Sequence, residues 1–480
     1  MITNKLHALH ALRRAGVVLA LIGCAWSGAQ GAATVVVVNA NEPNVGFNDP
    51  TPLEPGGGNS GRTLGAQRLI AFQHAADLWG KTVDSAVPIR ISAKFEDLPC
   101  TAESAVLGAA GAAEIFSQFD KAPKKAWYPS ALASKLAGRD MASDGAAHIQ
   151  ARFNSRLGLA PDCLPGSPFY LGIDNKHGDQ VDLVAVLLHE IAHGLGFQNF
   201  TDDETGEQYE NTPSVWDFFL VDSRTGLTWA GMTADERRLS AISGPYLAWN
   251  GPLVTADLAR VLKPQSNLII SGRAAGAARG SYEVGDASFG PELGRRAVSG
   301  QLMPVVDQAD GSGLACEPLN AQNARAMRDN VALVDRGTCS FTVKARMVQN
   351  AGAKAMLLAE NAAGPVTPLG GFDDGITIPA VRISQEAGKA LKAVLGKRTR
   401  NKSGVTAALG VDPERLSGTD LGKRIRMHSP IENEPGSSVS HFTVDARGNQ
   451  LMEPSISQDL LHEVKPARDL TYPLLQDIGW

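Results

Sequence analysis

The chain has 480 residues, with 45 Lys and Arg against 50 Asp and Glu and a formal net charge of −5. This balance, without long basic runs, argues against a nucleic-acid partner. The length suffices for two or three domains with cores of their own, and no segment beyond the N-terminus is apolar enough to predict a transmembrane helix.

The first 33 residues have the composition of a targeting segment. Basic residues precede an apolar run over residues 15–22, and small residues follow it. We therefore predict a signal peptide over residues 1–33 and an exported protein, secreted or periplasmic. A second interpretation stays open, because the sequence ending in Cys24 resembles a bacterial lipoprotein signal. Cys24 would then carry a lipid anchor at the cell surface.

Strands and helices alternate irregularly ahead of residue 180, which is typical of an α+β domain. From the spacing of apolar residues we predict strands at 34–38, 87–95, 148–153 and 169–173 and a helix at 62–81. An edge strand can hold an extended peptide by pairing with it, and we assign that role to the strand at 148–153.

His189, Glu190 and His193 form a His-Glu-x-x-His motif at the end of an aliphatic stretch. The stretch predicts a buried helix with Asp182 near its start and Gly196 at its end. Residues i and i+4 share a helix face, so both imidazoles can bind one zinc ion while Glu190 reaches a water as general base. The alternative is a buried helix whose histidines make ordinary hydrogen bonds.

A catalytic zinc usually takes three protein ligands, so one more must lie elsewhere in the chain. The motif and Gly196 together resemble the compact metzincin proteases, which place the third ligand three residues after the glycine. That position holds Asn199 here, and a neutral amide is a poor zinc ligand. Four nearby carboxylates are interpreted as a solvated acidic loop: Asp202, Asp203, Glu204 and Glu207.

A second module follows a segment at 263–280 that ends in Gly and Ala and predicts a linker. Strands are predicted at 331–334, 353–359 and 378–383 and helices at 342–351 and 386–395, which indicates a small α/β domain over 281–398. Residues 332–341, 344–345, 351–353 and 378–381 resemble the protease-associated (PA) domain. Such domains occur in several hydrolase families and in receptors, so the resemblance implies binding of a substrate or partner.

His441 stands close before Leu451, Met452 and Pro454. The sequence Leu-Met-x-Pro resembles the methionine turn beneath the zinc of metzincins. Together, this sequence, the histidine pair, the long insertion and the final residues of the chain resemble the leishmanolysin-like metzincins. The resemblance implies His189, His193 and His441 as zinc ligands, Glu190 as base and Met452 as the turn.

Four cysteines follow the targeting segment: Cys100, Cys163, Cys316 and Cys339. An even number in an exported protein predicts two disulfides, for which three pairings are possible. We favour Cys100–Cys163 and Cys316–Cys339, because each pair then stays inside one domain. Zinc binding by cysteine is the weaker alternative, since no Cys-x-x-Cys spacing occurs.

These patterns predict an exported zinc metalloendopeptidase with one catalytic zinc ion, acting on protein or peptide substrates. Its α+β, metzincin-like catalytic domain would be split by the insertion, with a first part at 34–280, the protease-associated domain at 281–398 and a second part at 399–480. The rival hypothesis is a non-catalytic exported binding protein that works through the inserted domain.

Overall fold

The computed structural model describes residues 32–364 and 366–480. The predicted signal peptide up to residue 31, with Cys24, lies outside the described residues. Up to residue 261 the elements are β1 (Val35–Asn39), α1 (Leu64–Gly80), β2 (Ile89–Glu96), β3 (Gly108–Ala112), β4 (Ile115–Phe116), β5 (Tyr128–Pro129), α2 (Ser130–Ala137), β6 (Ile149–Asn154), β7 (Phe169–Tyr170), β8 (Val181–Asp182), α3 (Leu183–Leu195), β9 (Leu220–Asp222), α4 (Ala234–Ala241), β10 (Leu247–Trp249) and α5 (Pro252–Val261).

The remaining residues form a second series of strands and helices. They are β11 (Pro264–Ser271), β12 (Gly280–Glu283), β13 (Gly285–Asp286), β14 (Val298–Pro304), α6 (Ala321–Met327), β15 (Val331–Asp335), α7 (Phe341–Asn350), β16 (Ala355–Ala359), β17 (Ala380–Ile383), α8 (Gln385–Leu395), β18 (Thr406–Leu416) and α9 (Thr471–Ile478). The sequence predicts an α+β catalytic domain with a small α/β insertion, and of this prediction the mixture of strands and helices is confirmed. Every strand and helix predicted between residues 331 and 395 is present to within two residues at each end.

The first sheet has the strand order β1-β2-β6-β3, in which β3 runs antiparallel to β6. Alternate residues of β2 point into the core, because a strand's side chains alternate between its faces. The prediction that residues 148–153 form an edge strand is wrong, since β6 pairs with β2 on one side and β3 on the other. The edge strand is β3, whose Gly- and Ala-rich sequence carries little strand propensity.

Helices α1 and α3 pack together behind this sheet. Thr63 caps α1 by accepting a hydrogen bond from Ala66 N–H. Trp79 is fully buried, and its indole N–H donates to the carbonyl of Leu188 at 3.0 Å. This contact fixes the long α1 against the helix that carries the His-Glu-x-x-His motif.

The second sheet has eight strands in the order β12-β11-β18-β14-β15-β16-β17-β13. The linker predicted at 263–280 is wrong, because β11 occupies its first half and pairs with both β12 and β18. Strands β14 to β17 are parallel neighbours. Only Val284 separates β12 from β13, which lie at opposite ends of the strand order, so the sheet must curl until its two edges approach each other.

The two large sheets have separate hydrophobic cores. One core takes buried residues from before Lys263 and from Ile425 onward, so two distant stretches of chain build it together. Two further cores cover the faces of the larger sheet, with α8 in one and α6 and α7 in the other. Along the chain, the stretch from β11 to β18 is therefore inserted between the two segments that build the first core.

Both disulfides favoured from the sequence are present. Cys100 joins Cys163 beside the first sheet, and Cys316 joins Cys339 near β15. Among the residues that the structure describes, none of the helices combines the length and the apolar character needed to cross a bilayer.

Candidate metal centre

The site is built on α3, which begins at a side-chain cap. Asp182 Oδ1 accepts hydrogen bonds from the N–H groups of Val184 and Ala185, at 2.9 and 3.3 Å. This satisfies N–H groups that a helix start leaves without partners. The other carboxylate oxygen of Asp182 accepts from His462 Nε2 at 2.8 Å. The start of α3 is thereby tied to the C-terminal part of the chain.

Three histidines converge at the other end of α3. His189 and His193 lie one turn apart, and their Nε2 atoms are 3.2 Å apart. His441, 248 residues beyond His193, places its Nε2 atom 3.2 Å from that of His189. Among residues 32–364 and 366–480, this is the one group of three or more His, Cys, Asp or Glu side chains whose ligand atoms lie close enough to share a metal ion.

Backbone carbonyls fix the orientation of each ring. The Nδ1–H group of His189 donates to Leu451 O at 2.7 Å, that of His193 to Phe197 O at 2.6 Å and that of His441 to Ser437 O at 2.8 Å. Because a carbonyl oxygen only accepts, each Nδ1 must carry the proton and each Nε2 a lone pair. The three lone pairs therefore point at one another.

Burial also keeps these rings neutral. It lowers the pKa of His189 to about 3 and that of His193 to about 4, and it lowers the pKa of His441 well below its usual value. Three neutral imidazoles with facing lone pairs repel unless a cation lies between them. Tetrahedral zinc with Zn–N bonds of about 2.0–2.1 Å needs nitrogens about 3.3 Å apart, so the donor set fits that ion.

Glu190 lies beside the histidines and against β3. Burial raises the pKa of its carboxyl group to about 8, partly offset by a hydrogen bond from the N–H of Ala110. A Cβ at Gly108 would lie only 3.0 Å from Glu190 Cγ. The absence of a side chain at Gly108 thus leaves room for the glutamate between helix and strand.

The sequence predicts structural roles for Met452 and Gly196. Met452 is fully buried in the first core, and its carbonyl accepts from Phe442 N–H at 2.7 Å, next to His441. Gly196 ends α3 with a φ of 128°, a conformation that favours glycine. A Cβ there would come within 2.8 Å of Ile478 in α9.

The other candidate ligands are used elsewhere. The amide of Asn199 bonds to Thr201 and Ser214 within its own loop. Asp202 and two glutamates of the acidic loop are exposed, and Asp203 is half-buried. Four further histidines form hydrogen bonds outside the cluster: His148 with Asp140, His177 with Gln458, His428 with Glu434, and His462 with Asp182.

The three rings and Glu190 are between 4% and 8% exposed, so their tips reach solvent at the floor of a cleft. The cleft has a volume of about 850 Å³. Residues 105–110 at β3 form one wall, and residues 435–437 and 454–458 form others. The part of the chain that forms β3 and the three histidines therefore line the same cleft.

Sequence reasoning missed the supports behind the site. The carbonyl of Leu451 accepts the hydrogen bond from His189, and the N–H of Leu451 donates to Asp469 Oδ2 at 2.7 Å. Asp469 is fully buried directly ahead of α9, and its other oxygen accepts from Thr471 N–H. The buried bond between His462 and Asp182 was missed as well. A lone carboxylate or histidine carries no spacing signal that would reveal such a role.

One part of the chain matches a known protein family. Residues 298–391 match the family model described as PA domain. The chain contains a PA domain. The predicted protease-associated module is thereby confirmed, and β14 to β17 with α6 and α7 lie inside the matched range.

Plant receptors are among the proteins that this chain resembles. "Receptor homology region, transmembrane domain- and RING domain-containing protein 1" of Oryza sativa subsp. japonica is 33% identical over 117 residues, which cover 24% of this chain and 21% of that protein. "Vacuolar-sorting receptor 2" of Arabidopsis thaliana is 29% identical over 127 residues, covering 24% and 20%. The chain thus spans about a fifth of the length of these relatives.

Similar solved structures include BSAP, a zinc aminopeptidase from Bacillus subtilis, with 16% identity, coverage of 45% of this chain and 44% of that chain, and a TM-score of 0.23. The psychrophilic subtilisin-like protease Apa1 from Pseudoalteromonas sp. AS-11 has 18% identity, coverage of 31% and 34%, and a TM-score of 0.22. Neither TM-score is high enough to indicate a shared overall fold.

Within the PA domain, two charged residues that directly follow each other along the chain form ion pairs. Arg336 binds Glu360 at 3.0 Å, and Asp335 forms an ion pair with Lys392 of α8. These pairs join β15 to its neighbours at the carboxyl ends of the parallel strands.

Proposed function

We propose that this chain is an exported zinc-dependent endopeptidase with a leishmanolysin-like, metzincin-type catalytic domain interrupted by the PA domain. The observation that carries the proposal is the convergence of His189, His193 and His441, each oriented by a backbone carbonyl, beside Glu190. The two disulfides support export, because such bonds persist in oxidising compartments.

The three Nε2 atoms would hold one zinc ion. Zinc bound in this way supplies Lewis acidity, which polarises a peptide carbonyl and lowers the pKa of water. The protein's own contribution is orientation. Hydrogen bonds from Nδ1 to carbonyl groups set the tautomer of each ring and raise its basicity as a ligand.

Glu190 is the general base in this proposal. Burial raises the pKa of its carboxyl group, and a zinc ion held by the neighbouring histidines would lower that pKa again, so that the carboxylate is ionised and able to accept a proton near neutral pH. Glu190 accepts a proton from the attacking water and passes it to the leaving amine. The hydrogen bond from Ala110 N–H holds the carboxylate toward β3 while it does so.

The substrate chain would bind along β3. That strand pairs with β6 on one side, and its other side borders the cleft. An extended peptide can add to such an edge through backbone hydrogen bonds, with the side chains left to confer specificity. Backbone recognition in an open cleft suits cleavage within polypeptides.

Glu190→Gln tests the reaction with the shape of the site preserved. We expect about one zinc per chain, measured by atomic emission, and a fall in casein cleavage of at least about 100-fold, because a general base typically contributes 10²–10⁴-fold. Glu204→Gln is the matched control, since Glu204 is exposed in the nearby loop. Chelator-insensitive cleavage by Glu190→Gln at the wild-type rate would refute the proposal.

A non-catalytic binding protein is the second candidate, favoured by the similarity of the chain to receptors. Zinc stoichiometry separates the two functions. Purified protein with near one zinc per chain supports the peptidase. Near-zero zinc together with no cleavage after zinc is added supports the binder.

A further inference from the structure

A fully buried lysine lies beside the disulfide of the PA domain. Lys344 of α7 is 0% exposed, and its Nζ atom donates to the carbonyl of Leu314 and lies 3.6 Å from Cys316 Sγ. Cys316 is bonded to Cys339, which lies in the turn between β15 and α7. Both cysteines are partly exposed, so a reagent in solution can reach the disulfide.

The ammonium group of Lys344 has no direct ion-pair partner among the described residues. Asp335 pairs with Lys392 instead, and Asp310 accepts from the N–H of Cys316. Burial lowers the pKa of Lys344, and these two carboxylates partly offset that fall. A charged group that is buried normally has a partner of opposite charge. A thiolate at Cys316 would be that partner.

The backbone directly before each cysteine is held in an unfavourable conformation. Ala315 and Thr338 have φ values of 54° and 66°. Residues other than glycine rarely adopt this left-handed region, and a β-branched residue such as threonine is an outlier there. Breaking the disulfide removes a constraint that holds both residues in place. Strained and exposed disulfides are also the ones that are reduced most readily.

The Cys100–Cys163 disulfide lies in different surroundings. Cys163 is fully buried, and the Nδ2 atom of Asn154, a neutral amide, lies 3.8 Å from its Sγ atom. Within the part of the chain that the structure describes, no ammonium or guanidinium group forms a hydrogen bond with either sulfur of this disulfide. A thiolate formed at Cys163 would be buried without a positive partner. The two disulfides therefore differ in how well they can release an anion.

We propose that Cys316–Cys339 is a redox-active disulfide that a dithiol reductant opens with Cys316 as the leaving thiolate, whereas Cys100–Cys163 is structural. A thiolate of the reductant attacks Cys339 Sγ, the bond between the cysteines breaks, and its electron pair goes to Cys316 Sγ beside Lys344. A neighbouring cation lowers the pKa of a thiol, and a thiol of lower pKa leaves faster.

The second thiol of the reductant completes the exchange. It loses its proton and attacks its partner sulfur in the mixed disulfide, which releases Cys339. The released Cys339 takes up a proton, Cys316 stays as a thiolate next to Lys344, and the reductant ends as a disulfide. Two electrons have then passed from the dithiol to the protein.

Reduction frees the segment 305–320, which joins β14 to α6. The disulfide is the covalent link between this segment and the turn that follows β15. The switch therefore changes the surface that the PA domain presents to a partner. It is independent of the proposed peptidase function, because the three histidines and Glu190 lie outside the PA domain.

Redox titration of the full-length protein tests the assignment. The protein is equilibrated in mixtures of reduced and oxidised dithiothreitol, free thiols are blocked with iodoacetamide, and the cysteine peptides are quantified by mass spectrometry. We expect Cys316–Cys339 to be half-reduced at a ratio of reduced to oxidised reagent at least about 10-fold lower than Cys100–Cys163, because a cation lowers a thiol pKa by about one unit or more. Equal ratios for the two disulfides overturn the proposal.

Lys344→Met removes the charge and keeps a long apolar side chain. The ratio that half-reduces Cys316–Cys339 should rise about 10-fold, and the ratio for Cys100–Cys163 should not change. Lys354→Met, at an exposed position of the same domain, is the matched control and should leave both ratios at their wild-type values. A wild-type ratio for Cys316–Cys339 in Lys344→Met overturns the role of the lysine.

A second measurement leaves Lys344 in place. Cys339→Ser makes Cys316 a free thiol, and Cys316→Ser does the same for Cys339. The midpoint of the alkylation rate against pH should lie at least about one pH unit lower for Cys316 than for Cys339. Equal midpoints overturn the assignment of Cys316 as the leaving thiolate. In the reduced wild-type protein, hydrogen exchange should quicken across residues 305–320, and unchanged exchange there contradicts the release of this segment.

Discussion

Asp469 accepts a hydrogen bond from Leu451 N–H at 2.7 Å, and the carbonyl of Leu451 accepts one from His189 at the same distance. A single residue therefore joins a buried carboxylate ahead of α9 to a ring of the candidate metal centre. Burial raises the pKa of Asp469, and the hydrogen bonds from Leu451 and Thr471 oppose that rise. Through Leu451, which lies 262 residues beyond His189, Asp469 thus positions a ring in a distant part of the chain.

Asp469→Ala should weaken zinc binding without removing a ligand. It leaves the N–H groups of Leu451 and Thr471 without acceptors in the core, at about 1–3 kcal/mol each. Loss of outer support of this kind typically lowers metal affinity about 10–100-fold, which competition with a fluorescent chelator measures. Asp477→Ala is the matched control: Asp477 binds Trp249 and the start of α5, so it should lower stability and spare zinc affinity. Equal zinc affinities in the two variants would contradict the role given to Asp469.

Asp182 should stabilise α3 in two separable ways, as its cap and as the partner of His462. Asp182→Ala removes both interactions. It should lower the free energy of unfolding by more than the roughly 1 kcal/mol of a lost cap, because His462 also loses its partner. Asp182→Ser keeps a capping oxygen and should recover part of the loss in urea unfolding. Thr233→Ala, which removes the cap of α4 alone, gives the reference value. If Asp182→Ala costs no more than Thr233→Ala, the bond to His462 contributes nothing.

Gly108→Ala should slow catalysis while zinc stays bound. The added Cβ would lie 3.0 Å from Glu190 Cγ and from the ring of Phe153, so the glutamate must shift. Because small misplacements of catalytic groups are costly, we expect kcat to fall on the order of 10-fold with one zinc per chain. Gly294→Ala is the control, since nothing lies within 4 Å of a Cβ there. Unchanged kcat in Gly108→Ala would show that β3 does not constrain Glu190.

Elements with a regular apolar pattern could be predicted from the sequence. The aliphatic stretch with Asp182 ahead of it predicted α3, and the strands and helices of the PA domain carried equally regular patterns. Strand β3 could not be predicted, because its Gly and Ala residues become a strand only by pairing with β6 and packing on α3. For α4 the sequence does carry a local signal, because Thr233 and Glu236 form a capping box.

Some residues of the candidate site could likewise be predicted from the sequence, and others could not. His189, Glu190 and His193 follow from one motif, whereas His441 was reached only through the resemblance carried by Met452. The carbonyls of Leu451, Phe197 and Ser437 could not have been predicted, because every residue has a carbonyl and only the fold selects these three.

The two disulfides should differ in what their loss affects. In the chain-entropy model, closing the Cys316–Cys339 loop stabilises by about 3 kcal/mol and closing the longer Cys100–Cys163 loop by about 4 kcal/mol. The longer loop contains β3, so Cys100→Ala/Cys163→Ala should lower both the midpoint of thermal unfolding and peptidase activity. Cys316→Ala/Cys339→Ala should lower stability alone. Equal activity losses in the two double variants would argue against a role for β3 in substrate binding.

Glu453 should make the protein less stable as pH rises. Its carboxyl group is buried beside Met452, and burial raises its pKa to about 8, with one opposing hydrogen bond from Gln450 N–H. An unfolded glutamate has a pKa of about 4.3. Between these values the folded state binds more protons than the unfolded state, so stability falls by up to about 1.4 kcal/mol per pH unit through this one group.

Glu453→Gln removes this titration and retains an oxygen that can accept from Gln450. In urea unfolding, the variant should match the wild-type protein below about pH 4.5 and become more stable than it by a few kcal/mol at pH 8 and above. Glu463→Gln, at an exposed position, should show no such growth with pH. A difference between Glu453→Gln and wild type that stays constant from pH 5 to pH 9 would mean that Glu453 is already ionised at the lower pH. The buried turn next to the metal centre would then tolerate a full negative charge.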